Sequence, residues 1–197
     1  MIGVMSEAAE PVRRTLTQEE VDAVCLKHDR LWQARPGGAR AVFAWMDLSG
    51  VSLRGRNLAD ADFTAACLIG CDLTGAKLDN ANFFGADMQD VTLVDASMRR
   101  ADLRGARLAR ARLNGSDLRE AQLGPLMLAA DRLLPADLTG AVLRGADLTG
   151  ADLRRAVMVD ADLSRATLHG AQTKQADFTG AQTSGARGLD PADLHAA

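Results

Sequence analysis

The chain repeats one five-residue unit, and its clearest copy is Ala146-Asp147-Leu148-Thr149-Gly150. A centre every five residues from Leu48 to Thr183 gives 28 repeats in one frame, with Leu at 20 centres and Ala two positions before 20 of them. Asp or Asn is common just before the centre, and Gly two positions after it. A period of five fits neither the 3.6-residue repeat of a helix face nor the two-residue alternation of a strand.

The unit is best explained as a short extended segment followed by a corner. Ala and Leu are two residues apart, so they point the same way in an extended chain, whereas the Asp between them points the other way. The last two residues turn the chain, and Gly suits a corner that needs positive φ. One unit cannot bury a core. We therefore expect the units to stack on each other at about 4.8 Å, with Ala and Leu inside.

This pattern resembles the pentapeptide repeat family, whose A-(D/N)-L-x-x motif is matched by Ala136-Asp137-Leu138-Thr139-Gly140 and by the segment 161–165. The resemblance extends from about residue 41 to residue 185. It implies an all-β fold, a right-handed quadrilateral parallel β-helix with four repeats in each coil. The 28 repeats then give about seven coils.

The chain divides into four segments by composition. They are a flexible leader at 1–16, an N-terminal capping helix and turn at 17–38, the repeats at 39–185 and a C-terminal tail or cap at 186–197. Thr17 and Glu20 form the capping-box pattern of a helix start. Apolar residues then follow at helical spacing, which predicts a helix over 18–34 that covers the open end of the first coil. Many bacterial members of the family are similar here.

The repeat falters once, over 124–135. Two prolines, Pro125 and Pro135, bracket this stretch, and Leu126 stands where Ala is expected. The frame is kept, because Leu128 and Leu133 remain in phase with the other centres. This favours a distorted coil in register over the alternative, a ten-residue loop or helix. Surface excursions often carry function, so the stretch is a candidate site. We expect no long loop to project from the coils, in contrast to several quinolone-resistance members of the family.

Charge is uneven along the repeats. Residues 57–98 contain seven Asp and one Lys, whereas residues 99–119 contain seven Arg. The arginines are Arg99, Arg100, Arg104, Arg107, Arg110, Arg112 and Arg119. They are candidates for docking an acidic protein partner. The alternative is a solvated arginine-rich surface, because exposed ion pairs contribute little to stability.

Four repeats per coil place residues 20 apart on top of each other. This predicts a buried Phe63–Phe83 pair and a cation–π contact between Arg104 and Phe84. The predicted ion pairs are Asp79–Arg99, Asp87–Arg107, Asp90–Arg110 and Arg100–Glu120. The predicted like-charge neighbours are Arg99–Arg119, Arg112–Arg132, Asp117–Asp137 and Arg154–Lys174.

Outward apolar residues suggest self-association. Val142, Val157 and Val159 stand at outward positions and predict a small apolar contact surface. Leu189 and Leu194 follow the last repeat, where they either cover the final coil or pair with a second subunit. Family members that act on topoisomerases are similar in dimerising through this end. We therefore expect a homodimer contact at the C-terminal end.

Composition narrows the functional classes. The net charge of −3 and the pI of about 5.6 give no strong bias toward nucleic acid or membranes. No apolar run approaches the roughly 18 residues of a membrane span, and no signal peptide is evident. The odd number of cysteines predicts reduced thiols and a cytoplasmic location. His28, His169 and His195 are far apart, so no catalytic, cofactor or metal site is expected.

The sequence therefore predicts a non-enzymatic rigid scaffold or protein–protein interaction module. The alternative follows from the resemblance, because some family members bind DNA gyrase or topoisomerase IV by imitating DNA and confer quinolone resistance. Such mimicry needs a strongly acidic surface, whereas the centre of this chain is rich in Arg. Direct nucleic-acid binding through the arginines is disfavoured, because aromatic residues are not interleaved with them.

Overall fold

The computed structural model describes residues 13–129 and 132–190. The repeats wind into stacked coils, joined by parallel bridges between residues 20 apart, such as Val42 with Asp62. The bridges form four ladders, so each coil contains four repeats and has four faces. The ladder of the first face runs from Val42 to Gln172, and that of the second face from Asp47 to Asp177. The ladder of the third face runs from Ser52 to Gln182, and that of the fourth face from Asn57 to Arg187. Each face is followed by a corner, which is made by the last two residues of the repeat.

The regular coils contain few named strands, because each repeat turns after one bridge. The helix and strands of the chain are β1 (Arg14–Thr15), α1 (Gln18–Trp32), β2 (Met46–Asp47), β3 (Leu126–Ala129) and β4 (Arg132–Leu134). Strands β1 and β2 pair in parallel, and β3 and β4 pair antiparallel. Among the described residues, no helix has the length and apolar character needed to cross a bilayer.

Backbone hydrogen bonds hold the coils together and close each corner. The Leu148 N–H donates to the Thr167 carbonyl of the next coil at 2.7 Å. Within the coil, the Ala146 N–H donates to the Leu143 carbonyl at 3.0 Å, and Gly145 between them has a φ of 66°. Positive φ at the third position of a four-residue turn is the signature of a type II turn. The fifth residue of each repeat therefore has to adopt a left-handed conformation.

The interior is filled by the Ala and Leu side chains of the repeats, most of them with no exposed surface. The predicted pair of Phe63 and Phe83 is confirmed, with ring centroids 4.8 Å apart. Phe43 extends the stack at 5.1 Å from Phe63, so the coils begin one repeat before Leu48. Each fully buried Leu or Phe contributes about 1.5–3 kcal/mol of transfer free energy, so this column is the main source of stability.

The predicted N-terminal helix is present and ends two residues earlier than expected, at Trp32. The capping box is confirmed, because the Thr17 N–H donates to the Glu20 carboxylate at 2.9 Å and the Thr17 hydroxyl accepts from the Glu20 N–H at 3.3 Å. The buried face of the helix contains Val21 and Cys25, which join the core of the coils. The helix therefore covers apolar surface of the first coil.

The end of the predicted leader is also structured. Arg14 and Thr15 form β1, which pairs with Met46 and Asp47 of the first coil. Leu16 follows and is buried. This strand gives the exposed edge of β2 a hydrogen-bonding partner, which protects it from pairing with another chain. Residues 1–12 of the predicted leader lie outside the described residues.

His28 ties the helix to the first coil. The ring has no exposed surface, and its Nδ1 accepts a hydrogen bond from the Ala41 N–H at 3.0 Å. Burial lowers the pKa of His28, and this outweighs the hydrogen bond with the Ala59 backbone and the charge of Asp29, which act in the opposite direction. A neutral ring is needed, because a protonated Nδ1 could no longer accept from Ala41.

The interruption is a β-hairpin and not a distorted coil. Arg107 bridges to Asp137, so 30 residues separate the bridge partners instead of 20. Strands β3 and β4 form the hairpin, and Leu128 and Leu133 lie in it, outside the coils. The interpretation as a coil in register is therefore wrong. The expectation that no long loop projects is wrong for the same reason.

Proline explains why the coil opens at this point. Pro125 occupies the fifth position of its repeat, where Gly105 and Arg155 on the same corner have φ values of 68° and 58°. The Arg155 N–H also donates to the Lys174 carbonyl of the next coil at 3.1 Å. Proline fixes φ near −65° and has no N–H, so it can meet neither requirement. The ladder resumes at Asp137, and Pro135 immediately precedes that repeat.

The base of the hairpin packs on Gly105. Leu126 is buried there, and a Cβ added to Gly105 would lie 2.9 Å from the Leu126 Cβ and 3.3 Å from the Leu134 Cδ2. Gly85 occupies the same corner one coil earlier, with a φ of 63° and no atom within 4 Å of an added Cβ. The absence of a side chain at Gly105 therefore lets the hairpin lie against the corner.

We predict that Gly105→Ala is more destabilising than Gly85→Ala. Both variants place Ala at positive φ, which costs about 1–2 kcal/mol. Only Gly105→Ala also pushes against the hairpin, and overpacking adds about 1–3 kcal/mol. Urea unfolding of both variants measures the difference in the free energy of unfolding. Equal losses would show that the hairpin does not pack on this corner.

We also predict that the chain loses stability as the pH falls below about 6.5, the ordinary pKa of His. The pKa of His28 is lower in the folded state, so the unfolded chain binds its proton first and stability falls with pH in this range. The His28→Gln variant keeps an acceptor for Ala41 but does not titrate. Unfolding free energies at pH 7.5 and 5.5 should therefore differ more for the native chain than for this variant. The same pH dependence in both would rule out His28 as the cause.

Candidate partner-binding surface

The seven arginines do not form one patch, because the structure distributes them over all sides of the coil. Arg104 lies on the corner after the first face. Arg107 lies on the second face and Arg110 on the corner after it, while Arg112 is on the third face. The corner after the fourth face carries the remaining three, Arg99, Arg100 and Arg119.

Most of these arginines are paired with carboxylates of their own coil or of a neighbouring one. Three predicted pairs are confirmed, Arg107–Asp87 at 3.0 Å, Arg110–Asp90 at 2.7 Å and Arg100–Glu120 at 2.7 Å. The hydrogen bond from Arg110 lowers the pKa of Asp90, and that from Arg100 lowers the pKa of Glu120. These exposed pairs contribute little to stability, but they leave little free positive charge for a partner.

Asp117 separates the two stacked arginines Arg99 and Arg119. Its carboxylate accepts from Arg99 Nε at 2.5 Å and from an Arg119 terminal nitrogen at 2.7 Å. Burial alone would raise the pKa of Asp117, but hydrogen bonds from the two arginines outweigh it and lower the pKa to about 2. The predicted partner of Arg99, Asp79, instead accepts from its backbone N–H at 3.0 Å.

The hairpin shifts the predicted neighbours that lie beyond it. Arg112 faces Val142 and Asp117 faces Asp147, so the predicted stacks of Arg112 on Arg132 and of Asp117 on Asp137 are wrong. The cause is the 30-residue separation across the hairpin. Among the described residues, Arg112 makes no ion pair.

The outward valines occupy two adjacent faces. Val157 and Val159 belong to the second face and its corner, whereas Val142 lies on the third face. All three are half-buried. Leu189 is half-buried and packs against the core, and Leu194 lies outside the described residues. Self-association through these residues remains a prediction.

The hairpin carries three exposed apolar side chains, among them the most exposed large apolar side chain of the described residues. Met127 is 69% exposed, Leu128 49% and Leu134 39%. The regular coils bury the Leu side chains at their repeat centres, whereas the hairpin holds this group outside the core. Exposed apolar clusters of this kind are typical of interaction sites.

A groove of about 430 Å³ runs beside the hairpin, along the corner after the first face. Its lining residues are Arg104, Gln122, Gly124, Pro125, Met127, Leu133, Asp152, Arg154, Arg155, Lys174 and Gln175. The coil geometry brings them together, because positions 104, 124, 154 and 174 occupy the same place in successive coils. The groove therefore has apolar side chains from the hairpin on one side and charged side chains of the coils on the other.

The cations of this groove fall into two groups. Arg104 pairs with Asp102 at 2.6 Å and lies 5.5 Å from the Phe84 ring centroid, which confirms the predicted cation–π contact. Arg154 pairs with Asp152 through two hydrogen bonds of 2.8 and 2.7 Å.

Arg155 and Lys174 form the second group. The Arg155 Nε donates to the neutral Gln175 side chain at 2.9 Å, and Lys174 makes no ion pair within the described parts of the chain. The groove therefore carries a net positive charge. Neither Arg155 nor Lys174 was predicted as a site residue, and the like-charge stack of Arg154 on Lys174 is the feature of the sequence that could have located this groove.

Metal-binding clusters and ionised thiols are two kinds of reactive group that the described residues could carry. No cluster of His, Cys, Asp and Glu that could hold a metal ion occurs in residues 13–129 and 132–190. All three cysteines are unpaired and buried, and burial raises the pKa of Cys25 to about 11 and that of Cys71 to about 12. These two thiols therefore stay protonated near neutral pH. The side chains that line the groove are charged, polar and apolar.

Comparisons with known proteins agree with the repeat geometry. The model of pentapeptide repeats matches in 8 copies, over residues 57–95, 96–124, 136–180 and 156–187. The gap between these matches coincides with the hairpin. No curated protein sequence matches the chain significantly.

Several solved structures are similar to the chain. One is HetL, a pentapeptide repeat protein involved in heterocyst differentiation regulation from the cyanobacterium Nostoc sp. strain PCC 7120. It is 34% identical, with 75% of this chain and 70% of HetL covered and a TM-score of 0.39. Another is full-length QnrB1, a plasmid-mediated fluoroquinolone resistance protein, with 20% identity, 76% of each chain covered and a TM-score of 0.44. Because the family model matches more than half of its residues, the chain belongs to the pentapeptide repeat family.

Proposed function

We propose that the chain is a rigid, non-enzymatic module that binds another protein, with the hairpin as its docking element. The observation that carries this proposal is the exposure of Met127, Leu128 and Leu134 on a projecting element of an otherwise filled coil. Apolar side chains contribute to binding when a partner removes them from water. The hairpin is anchored by Leu126 on Gly105, so little order has to be gained at its base on binding.

The scaffold part of the proposal rests on the coils. We infer that they wind right-handed with a four-sided cross-section, as membership of the family implies and as the four ladders support. A stack of this kind holds its outer side chains at fixed spacings while its interior is filled with Ala and Leu. Such an interior leaves no enclosed cavity for a substrate, which favours a binding role over catalysis. A cytoplasmic location is part of the proposal and rests on the odd number of cysteines.

A topoisomerase is the second candidate partner. The projecting hairpin favours it, because it removes one of the differences expected between this chain and quinolone-resistance members of the family. The charge of the molecule opposes it, since most arginines between residues 99 and 119 neutralise the nearby carboxylates. A homodimer contact near Leu189 at the C-terminal end belongs to this second candidate. Inhibition of gyrase supercoiling by the purified chain would favour the topoisomerase.

We predict that the hairpin can be removed without loss of the fold. Deletion of residues 126–135 together with Pro125→Gly joins residue 125 to Ala136, restores a five-residue frame and supplies the positive φ that the corner requires. The excised chain should keep the circular dichroism of the native chain and unfold within about 5 °C of it, because only the packing of Leu126 and Leu134 is lost.

The same variant tests the function. The full chain is cross-linked to its partner in extracts of the source cells. The chain that lacks the hairpin should recover at least tenfold less of that partner, although it is folded. The double variant Met127→Ser and Leu128→Ser is a second, milder test, because it retains the hairpin and removes only exposed apolar side chains. It should lose the same partner. An identical set of partners for all three chains would exclude the hairpin as the docking element.

A further inference from the structure

We propose that the groove beside the hairpin binds an acidic peptide segment of the partner, and that this segment places one apolar side chain against Met127 and Leu133. The inference rests on the proposed function, because it specifies the chemistry of the partner at that same hairpin. The groove combines two features that suit such a segment. These are free positive charge and exposed apolar surface.

The free positive charge of the groove favours a partner segment that is acidic. Arg155 and Lys174 are exposed cations without a carboxylate partner among the described residues. They lie one coil apart on the same corner, so their charges reinforce each other. Arg104 and Arg154 flank them and are already paired with Asp102 and Asp152. Two additional carboxylates therefore complete the groove, and a guanidinium holds a carboxylate through directed hydrogen bonds.

The exposed apolar side chains of the hairpin favour a segment that also carries an apolar side chain. Met127 is 69% exposed and Leu133 is half-buried, and both border the cations of the groove. Met is flexible and adapts to apolar side chains of different shape. A Leu, Met or Phe of the peptide that packs here would remove both residues from water. This contact sets the position of the segment, while the carboxylates set its orientation along the corner.

A nucleic acid fits the same groove less well. Single-stranded nucleic acids bind through aromatic side chains that stack on the bases, and none of the residues that line the groove is aromatic. The exposed apolar edge of the hairpin gives a phosphate backbone nothing to bind. An acidic polypeptide uses both halves of the site.

The rigidity of the corner makes the site specific in geometry. Arg155 has a φ of 58°, and its backbone N–H donates to the backbone carbonyl of Lys174. The backbone that carries both cations is therefore held by this hydrogen bond between coils. Gln175 occupies the equivalent fifth position one coil later with a φ of 62°. Gln is therefore accepted at this position, and Arg155→Gln removes the charge without disturbing the corner.

The test is fluorescence anisotropy with the full-length chain and three labelled synthetic peptides. The first alternates Asp and Glu around a central Leu, the second replaces every Asp and Glu by Asn and Gln, and the third replaces the Leu by Ser. We expect the first peptide to bind with micromolar affinity that falls as salt rises. The second should bind at least about tenfold more weakly and the third about threefold more weakly, which corresponds to the loss of exposed charge pairs and of one apolar contact.

Variants of the chain locate the binding site. The double variant Arg155→Gln and Lys174→Gln should bind the first peptide about tenfold more weakly than the native chain. Met127→Ser should bind it about threefold more weakly. Arg165→Gln is the matched control, because Arg165 is an exposed arginine at the same repeat position on another corner, with a φ of 61°. It should leave the affinity within about twofold of the native value.

The outcomes separate this inference from the proposed function. Equal binding of the acidic and neutral peptides, or equal losses for the Arg155 and Arg165 variants, would overturn the acidic groove. Displacement of the peptide by a DNA or RNA oligonucleotide at comparable concentration would overturn it in favour of a nucleic acid. If no peptide binds while a cellular partner is still lost on excision of the hairpin, the inference is wrong and the proposed function stands. If the peptide binds but no partner depends on the hairpin, the proposed function is wrong.

Discussion

The structure depends on one constraint, which is the conformation of the fifth residue in each repeat. That residue must adopt positive φ so that the chain can turn, and in most coils its N–H donates to a carbonyl of the next coil. Gly meets the first demand without strain, and Asp, Asn, Arg and Gln accept it elsewhere in the chain at a modest cost. Proline fails both demands. The regular coil and its single described interruption therefore have the same physical origin, and the candidate site exists because Pro125 occupies a corner.

Much of the fold could be predicted from the sequence, because the period alone determines which residues face inward. The Phe63–Phe83 pair, the capping box and three of the ion pairs followed from spacing. The hairpin was not predicted, because its ten residues are two whole periods and leave Leu128 and Leu133 in phase. Pro125 and Pro135 at fifth positions were the local evidence for it. The period keeps both leucines in frame, but the fixed φ and missing N–H of proline decide the structure at this corner.

The candidate surface was predicted less well, for a related reason. The seven arginines are close in sequence, but each five-residue repeat carries the chain to the next face of the coil. Their carboxylate partners in neighbouring coils then remove most of their free charge. The groove gathers residues that are distant in sequence, such as Arg104 and Lys174, and their alignment depends on the 30-residue step across the hairpin. In a solenoid, a surface can be predicted only after every insertion has been placed.

The 30-residue step also bears on how the molecule folds. Coils of this kind add to one another by contacts between neighbours, so order spreads along the axis from any coil that forms first. Closing a loop of 30 residues instead of 20 costs only about 0.4 kcal/mol more in chain entropy, because this term grows with the logarithm of loop length. The hairpin is therefore no barrier to propagation between the two halves of the solenoid. A solenoid can acquire such an excursion at a corner with little effect on how readily it assembles, which makes the corners the natural places for new surfaces to arise.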